Sequence, residues 1–282
     1  MNNFIEFELY KGKVKGKFFP DSHQYWVDGK RPPSVTGIIG IMDKSRALVP
    51  WALEEAVKSL LPRLDKKLSA EELVKACFAS EEKKTKAADI GTKIHEFCEQ
   101  YILADMGKGE VPELPKEKAI QIGAEAFMAW HDLHKVKFLS SERVVYSKKH
   151  HYIGTLDIEA KVDGKLCLID LKSSNGLYNS VRMQTAAYVK ADEEENGKNY
   201  QGRWAIRLAK ETEEEYIERM ELKNQIKTFL GKNPQEIKPY QVFEDKFLDS
   251  EMMDIERDFK AFIACKELTE WNYKTDFWRN EH

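Results

Sequence analysis

The stretch GTLDIEAKVDGKLCLIDLK, residues 154–172, holds two aspartates and a lysine in a pattern that brings them together. Asp163-Gly164 stands between two runs of alternating residues, the signature of a two-residue type I′ hairpin turn. With that turn, Val162 opposes Lys165, Asp157 lies across from Asp170, and Thr155 across from Lys172. Directly opposed Cβ atoms are about 4.5–5.5 Å apart, a separation at which like charges destabilise a sheet. Asp170 follows the apolar Cys167-Leu168-Ile169, which predicts a largely buried strand. Facing carboxylates there are costly unless a cation or a shared proton offsets them. Lys172 lies two residues beyond Asp170 and so points to the same face. Two facing acidic oxygens suit a magnesium or manganese ion. A lysine beside them can orient or deprotonate a water and stabilise charge developing on a phosphoryl group. The competing reading is a half-exposed pair of aspartates that Lys172 merely neutralises; the apolar flanks weigh against it.

The pattern along the chain shows which elements would carry this patch. Residues 4–10 are aromatic and β-branched, Lys11, Lys13, Lys15 and Lys17 alternate, and Gln24 to Val27 reads as a strand ending at the Asp28-Gly29 turn. The alternating lysines predict a solvated or edge-protecting face, with phosphate contact as the other use of such a face. Ser34 can cap a short helix through Ile41, Val49 to Leu61 is amphipathic, and Ser69 with Glu72 forms a capping box. Helices are expected over Thr85 to Leu103 and Ala119 to His134, joined by the Gly/Pro-containing connector 104–118. From Lys135 onward the pattern predicts strands at 137–147, 151–162 and 165–172, a helix from Ser180 to Glu194, and a strand at 200–209. Further strand-like pieces at about 214–222 and 239–247 precede a C-terminal helix from Ser250 to about Trp271. Helix, three antiparallel strands, helix and strand make an α/β pattern with a mixed sheet.

In this context the residues resemble the PD-(D/E)xK nucleases in their D-x-K form, through Gly154–Asp157 (GxxD) followed by Asp170-Leu171-Lys172. Two flanking features resemble the RecB-type branch of that superfamily: Gly91 to His95 as a G-x-x-x-H helix, and Gln184 to Tyr188 as a Q-x-x-x-Y helix. The resemblance covers roughly residues 90–210; Pro33 to Ile39 and Leu48 to Trp51 add a softer likeness to phage or prophage exonucleases. It implies a restriction-endonuclease-like core, a mixed β-sheet flanked by helices, in one nuclease domain over 1–282. That domain would comprise a β-rich segment (1–40), a helical region carrying His95 (41–134) and the core with its C-terminal helix (135–282). It further implies Asp157, Asp170, the Leu171 backbone carbonyl and His95 as metal ligands, with Lys172 as the catalytic lysine. Glu142 would add a carboxylate from the preceding strand, through water. Gln184 and Tyr188, on one helix face, would position DNA or the active-site strands, and Ser173, Lys93 and Arg182 are assigned to DNA contact. Glu99, one turn from His95, could orient it or be solvated; His131 and His134 lack the further ligands a zinc site needs.

The implied activity is hydrolysis of DNA phosphodiester bonds with one or two Mg2+ or Mn2+ ions. An exonuclease in phage or bacterial recombination or end processing leads the readings. An endonuclease of the same fold and a non-catalytic DNA-binding scaffold are the alternatives. DNA is the partner, with a recombinase or single-strand-binding protein beside it; relatives that act processively often close a homo-oligomeric ring. Composition fits without deciding. The chain has 282 residues with net charge −3, which excludes a uniformly basic coat but not a local basic patch. No apolar run approaches the roughly 18–20 residues that span a bilayer, and the first residues lack a secretory pattern. The expectation is a cytoplasmic protein, in the host cytoplasm if phage-encoded, that does not engage a membrane. Four scattered cysteines without a CxxC pair support neither a zinc site nor an iron–sulfur cluster, and Cys98 and Cys167 read as buried thiols. The acidic runs 192–195 and 211–215 read as solvated, leaving Lys44, Arg46, Lys93, Lys172 and Arg182 near the site in sequence.

Overall fold

The computed structural model describes residues 4–63, 65–250 and 254–274. Three strands, β1 (Ile5–Leu9), β2 (Val14–Phe19) and β3 (Gln24–Val27), form an antiparallel sheet. Then come α1 (Val35–Ile39), α2 (Ser45–Leu60), α3 (Ala70–Cys77), α4 (Ala79–Asp105) and α5 (Lys118–Leu133). The second half contains β4 (Val136–Ser147), β5 (Tyr152–Val162), β6 (Lys165–Lys172), α6 (Ser180–Asn196), β7 (Gly202–Leu208), α7 (Glu213–Phe229), β8 (Phe243–Phe247) and α8 (Asp254–Lys274). Its sheet runs β4-β5-β6-β7-β8, antiparallel except for the parallel β6–β7 pair, which α6 bridges. The protein is therefore mixed α/β. Among the described residues no helix is long and apolar enough to cross a membrane.

The large sheet is buried on both sides. Ile158, Ala160, Val162, Ile169 and Leu171 pack with Ile94, Phe97 and Ile102 of α4 and with Phe127 and Trp130 of α5. Val145, Tyr152, Leu156 and Leu168 pack on the other face with Val35 and Ile38 of α1, Ala187 and Tyr188 of α6, and Phe262 of α8. Burial on two faces is why β6 reads as a nearly continuous apolar run rather than an alternation. The small sheet lays Leu9, Val14, Tyr25 and Val27 on Ile153 of β5, with Val144 and Tyr146 of β4 at the margin.

Local sequence signals set many boundaries. Asp163 (φ 50°) and Gly164 (φ 85°) form the expected turn, and the register from Val162↔Lys165 to Ile158↔Ile169 follows from it. Ser34 accepts from the Gly37 amide at the start of α1, and Ser69 and Glu72 close the expected box on α3. Cys98 and Cys167 are buried.

Several expectations need correction. Lys11 and Lys13 lie in the β1–β2 turn, not on a strand. Lys15 and Lys17 do share a face, but stand 3.7 Å from Glu8 and Glu6 across the sheet. Helix α2 begins at Ser45, before Pro50, where Asp43 accepts from the Ser45 amide, and α4 extends six residues N-terminal to the expected Thr85. The strand expected at about 214–222 is the helix α7. Thr212 and Glu215 form a second capping box there, and Glu213, Glu214 and Glu215 crowd the first turn, where the helix dipole favours acid. The C-terminal helix expected from Ser250 is described from Asp254; residues 251–253 of the expected span lie outside the described residues.

Candidate active site

The β5–β6 ladder stops at Ile158↔Ile169, one pair short of the two aspartates. Beyond it the Leu171 amide donates to Asp157 Oδ2 at 2.7 Å, so a side chain takes over where backbone pairing ends. The strands then part. β5 continues against β4, with Thr155 paired to Val144, and β6 continues against β7, with Lys172 paired to Arg207. Thr155 does not sit across from Lys172 in a ladder; its hydroxyl meets Tyr25 Oη at 2.9 Å. Asp157 and Asp170 flank the opening so created rather than standing as a ladder pair.

Asp170 is fully buried, and Lys172 Nζ lies 2.5 Å from its Oδ2. Its Oδ1 is buried without a hydrogen-bond donor. Burial raises the Asp170 carboxyl to about 6 despite the Lys172 ammonium, with Asp157 adding to the rise. Asp157 is raised too, burial and the Glu142 charge outweighing His95 and Lys172. Burial works against the Lys172 ammonium, yet Asp170 and Asp157 hold its pKa above that of a free lysine. His95 likewise gains basicity against the effect of burial, through Glu142 and Asp157. Burial leads the rise of both carboxyls, while the neighbouring carboxylates keep protons on Lys172 and His95.

His95 reaches the opening from α4, and its Nδ1 is 3.9 Å from Glu142 Oε1. Glu142, the carboxylate expected from the strand before GxxD, sits on β4 opposite Asp157 with φ 46°, in the left-handed region. Among the described residues, one ligand atom each from His95, Glu142 and Asp157 lies within 4.8 Å of the others. Oxygen ligands on opposite sides of a magnesium ion are about 4.2 Å apart, so small movements bring the three onto one ion. Asp170 is outside this group because its carboxylate is turned to Lys172. His95, Glu142 and Asp157 offer an imidazole and two carboxylates to a divalent cation, and the charge of Asp157 reaches the buried Asp170, whose Oδ1 has no donor.

The glycines of the sequence pattern are contact points between its parts. A Cβ on Gly154 would lie 2.5 Å from Tyr188 Cε1, and one on Gly91 would lie 2.5 Å from Ser173 Oγ. Thus α6 presses its tyrosine on β5, and α4 presses its backbone on the end of β6. Tyr188 is buried, and Gln184 Nε2 donates to its hydroxyl at 3.2 Å.

Comparison of the chain with models of known protein families and with curated proteins returns no match.

Other sequence assignments land elsewhere. Arg182 is bound to Asp258 and Asp254 at 3.1 Å, in a network with the buried Arg203 and Asp249 that pins α6 to α8. Lys93 is exposed beside Glu117 at 3.3 Å, and Lys44 and Arg46 are exposed where α2 begins. The partner of His95 is Glu142, not Glu99, whose raised pKa comes from burial and the charge of Glu96. His131 meets Tyr101 and His134 meets Asp245. The acidic run from Asp192 is not solvated at its start. Asp192 is fully buried on Arg143, Tyr200, Asn196 and Lys198, and Glu194 binds Ser147 and Tyr10. Tyr25 and Thr155 escaped sequence reasoning; only the tertiary approach of the small sheet brings them beside Glu142.

Proposed function

We propose that this protein is a metal-dependent deoxyribonuclease of the PD-(D/E)xK kind, with a restriction-endonuclease-like core, acting as an exonuclease on DNA ends. The observation that carries the reading is the fully buried Asp170, its Oδ1 unpaired, sharing one opening between parted strands with Lys172, Asp157, His95 and Glu142. Leaving a buried oxygen unsatisfied costs about 1–3 kcal/mol and more for a charged group, a cost that a bound cation would offset at Asp170. A bound Mg2+ or Mn2+ would supply Lewis-acid polarisation of a phosphate and a water of lowered pKa.

The chain's own residues divide the remaining work. Asp157, Asp170, Glu142 and His95 would hold the cation, whose charge would offset the repulsion among the three carboxylates. Lys172, whose ammonium stands 2.5 Å from Asp170 Oδ2, can orient a water and stabilise charge gathering on a phosphoryl oxygen. Tyr188 and Gln184 back the β5 strand from α6 and keep Asp157 in place.

The test is incubation of end-labelled linear DNA and covalently closed circular DNA with Mg2+ or Mn2+. Wild type should shorten the linear DNA from its ends and spare the circle, while Lys172→Ala and Asp170→Ala should lose at least about a hundredfold in rate, the scale of a lost acid–base or electrostatic group. Cleavage of the circle would replace exonuclease with endonuclease. Equal rates in all three proteins, or none in any, would remove the assignment.

A further inference from the structure

Glu142 faces His95 only because β4 breaks its own alternation, and a buried ionic network stands where that break is made. Ser140 Oγ and Arg143 Nη2 both reach Glu159 Oε2, at 3.1 and 3.2 Å, although residues three apart on a strand belong on opposite faces. On β5, Leu156 packs toward α6 while Ile158 packs toward α4 and α5, so the facing strand changes sides at Asp157. The half-turn on β4 is absorbed at Glu142, whose φ of 46° is costly for a residue with a side chain.

Arg143, the residue after that turn, is anchored firmly on the α6 side. Its guanidinium binds both Asp192 oxygens of α6, at 2.7 and 2.6 Å, as well as Glu159. Lys198 closes the network on Glu159 at 2.6 Å and Asp192 at 3.2 Å, balancing two carboxylates with two cations. Tyr200 and Asn196 complete the shell around Asp192. Were Arg143 to let go, ordinary alternation from Ser141, which pairs with Ile158 of the α4 face, would turn Glu142 toward α6 and away from His95.

We infer that the Arg143–Asp192–Glu159 network is a positioning device for the metal site: it pulls β4 out of alternation and so aims Glu142 at His95 and Asp157. This rests on the cation-binding reading of those three residues. Neither Arg143, Asp192 nor Glu159 touches the opening itself; they act through the backbone of Glu142.

Calorimetric titration of the full chain with Mn2+ tests it. Arg143→Met should weaken Mn2+ binding by about tenfold or more, the usual effect of losing a residue that orients a ligand. Arg143→Lys, which keeps the pair with Asp192, should recover most of it. Glu142→Gln should show a similar loss, and Arg143→Met added to Glu142→Gln should weaken binding no further, because the side chain being aimed is already gone. Arg219→Gln, which breaks the ion pair that Arg219 of α7 makes with the preceding Glu211, should leave Mn2+ binding unchanged. Should Arg143→Met fail to fold, Asp192→Asn keeps the shape while loosening the grip and should give an intermediate loss. Wild-type affinity in folded Arg143→Met or Asp192→Asn, or losses that simply add in the double variant, would overturn the inference. No Mn2+ binding by wild type would instead overturn the metal site beneath it.

Discussion

Gly154→Ala is the smallest change that should disturb both fold and site. Gly154 has no positive φ, so the demand for glycine there is one of space alone. The added methyl would lie 2.5 Å from Tyr188 Cε1 and 3.3 Å from Val35 Cγ2. Real Cβ contacts are rarely under 3.0 Å, so the ring must retreat by at least half an ångström. It has little room, since Val35, Ala187 and Val189 are all fully buried around it and its hydroxyl is tied to Gln184. Overpacking of this kind costs about 1–3 kcal/mol. At roughly 2–4 °C per kcal/mol for a chain near this size, a cost of about 2 kcal/mol lowers Tm by about 4–8 °C. Thermal and urea unfolding of Gly154→Ala, Tyr188→Leu and the double variant measure it. The two changes should couple by at least about 1 kcal/mol, because removing the ring removes the clash. A Gly154→Ala protein with wild-type Tm, or strictly additive losses, would show that the glycine is not there for the tyrosine.

Three further outcomes follow from the same structure. Since burial raises the Asp170 carboxyl to about 6, and since Asp157 and His95 also hold protons more tightly than usual, a metal must displace protons to bind. If the cation binds there, apparent Mn2+ affinity, measured by titration at a series of pH values, should fall by up to about tenfold per pH unit through the Asp170 proton alone as pH drops below about 6, and more steeply where Asp157 and His95 also hold protons. The metal-free protein should behave in the opposite sense. Between the ordinary aspartate value of 3.8 and about 6 the native state keeps a proton the unfolded chain has lost, so stability from this group declines as pH rises through that window. Separately, Thr212→Ala should destabilise the protein by about 1 kcal/mol in urea unfolding, the usual cost of a lost helix cap; no loss would contradict the capping box on α7.

How much of this was legible in the sequence depended on the range over which each signal acts. The Asp163-Gly164 turn fixed the β5–β6 register because a two-residue loop leaves the strands a single pairing, and that register already placed Asp157 near Asp170. What the register could not show was that the ladder ends at Ile158↔Ile169, so that the carboxylates flank an opening rather than abut. Residues 214–222 read as a strand but form a helix, because a short run can fit either period, Tyr216 and Met220 standing four apart on one helical face; the Thr212–Glu215 cap is the local signal that decides it. The acid run at Asp192 misled for another reason. A run of charges is usually solvated, and nothing local announces that Arg143, forty-nine positions away, will bury its first member.

The sequence by itself determined the hairpin, the capped helices and the burial of β6, all consequences of turn chemistry, reciprocal hydrogen bonds and hydrophobic pattern within a few residues of one another. It also determined which side chains could do chemistry, since residue type is independent of fold. Only the tertiary structure decided which of them meet. It brought His95 and Glu142 within 3.9 Å, turned Arg182 away into the α6–α8 network, and laid Tyr25 beside Thr155. Those outcomes depend on contacts between distant segments, where burial and charge balance are settled by packing across the whole sheet and no single stretch of chain contains the answer.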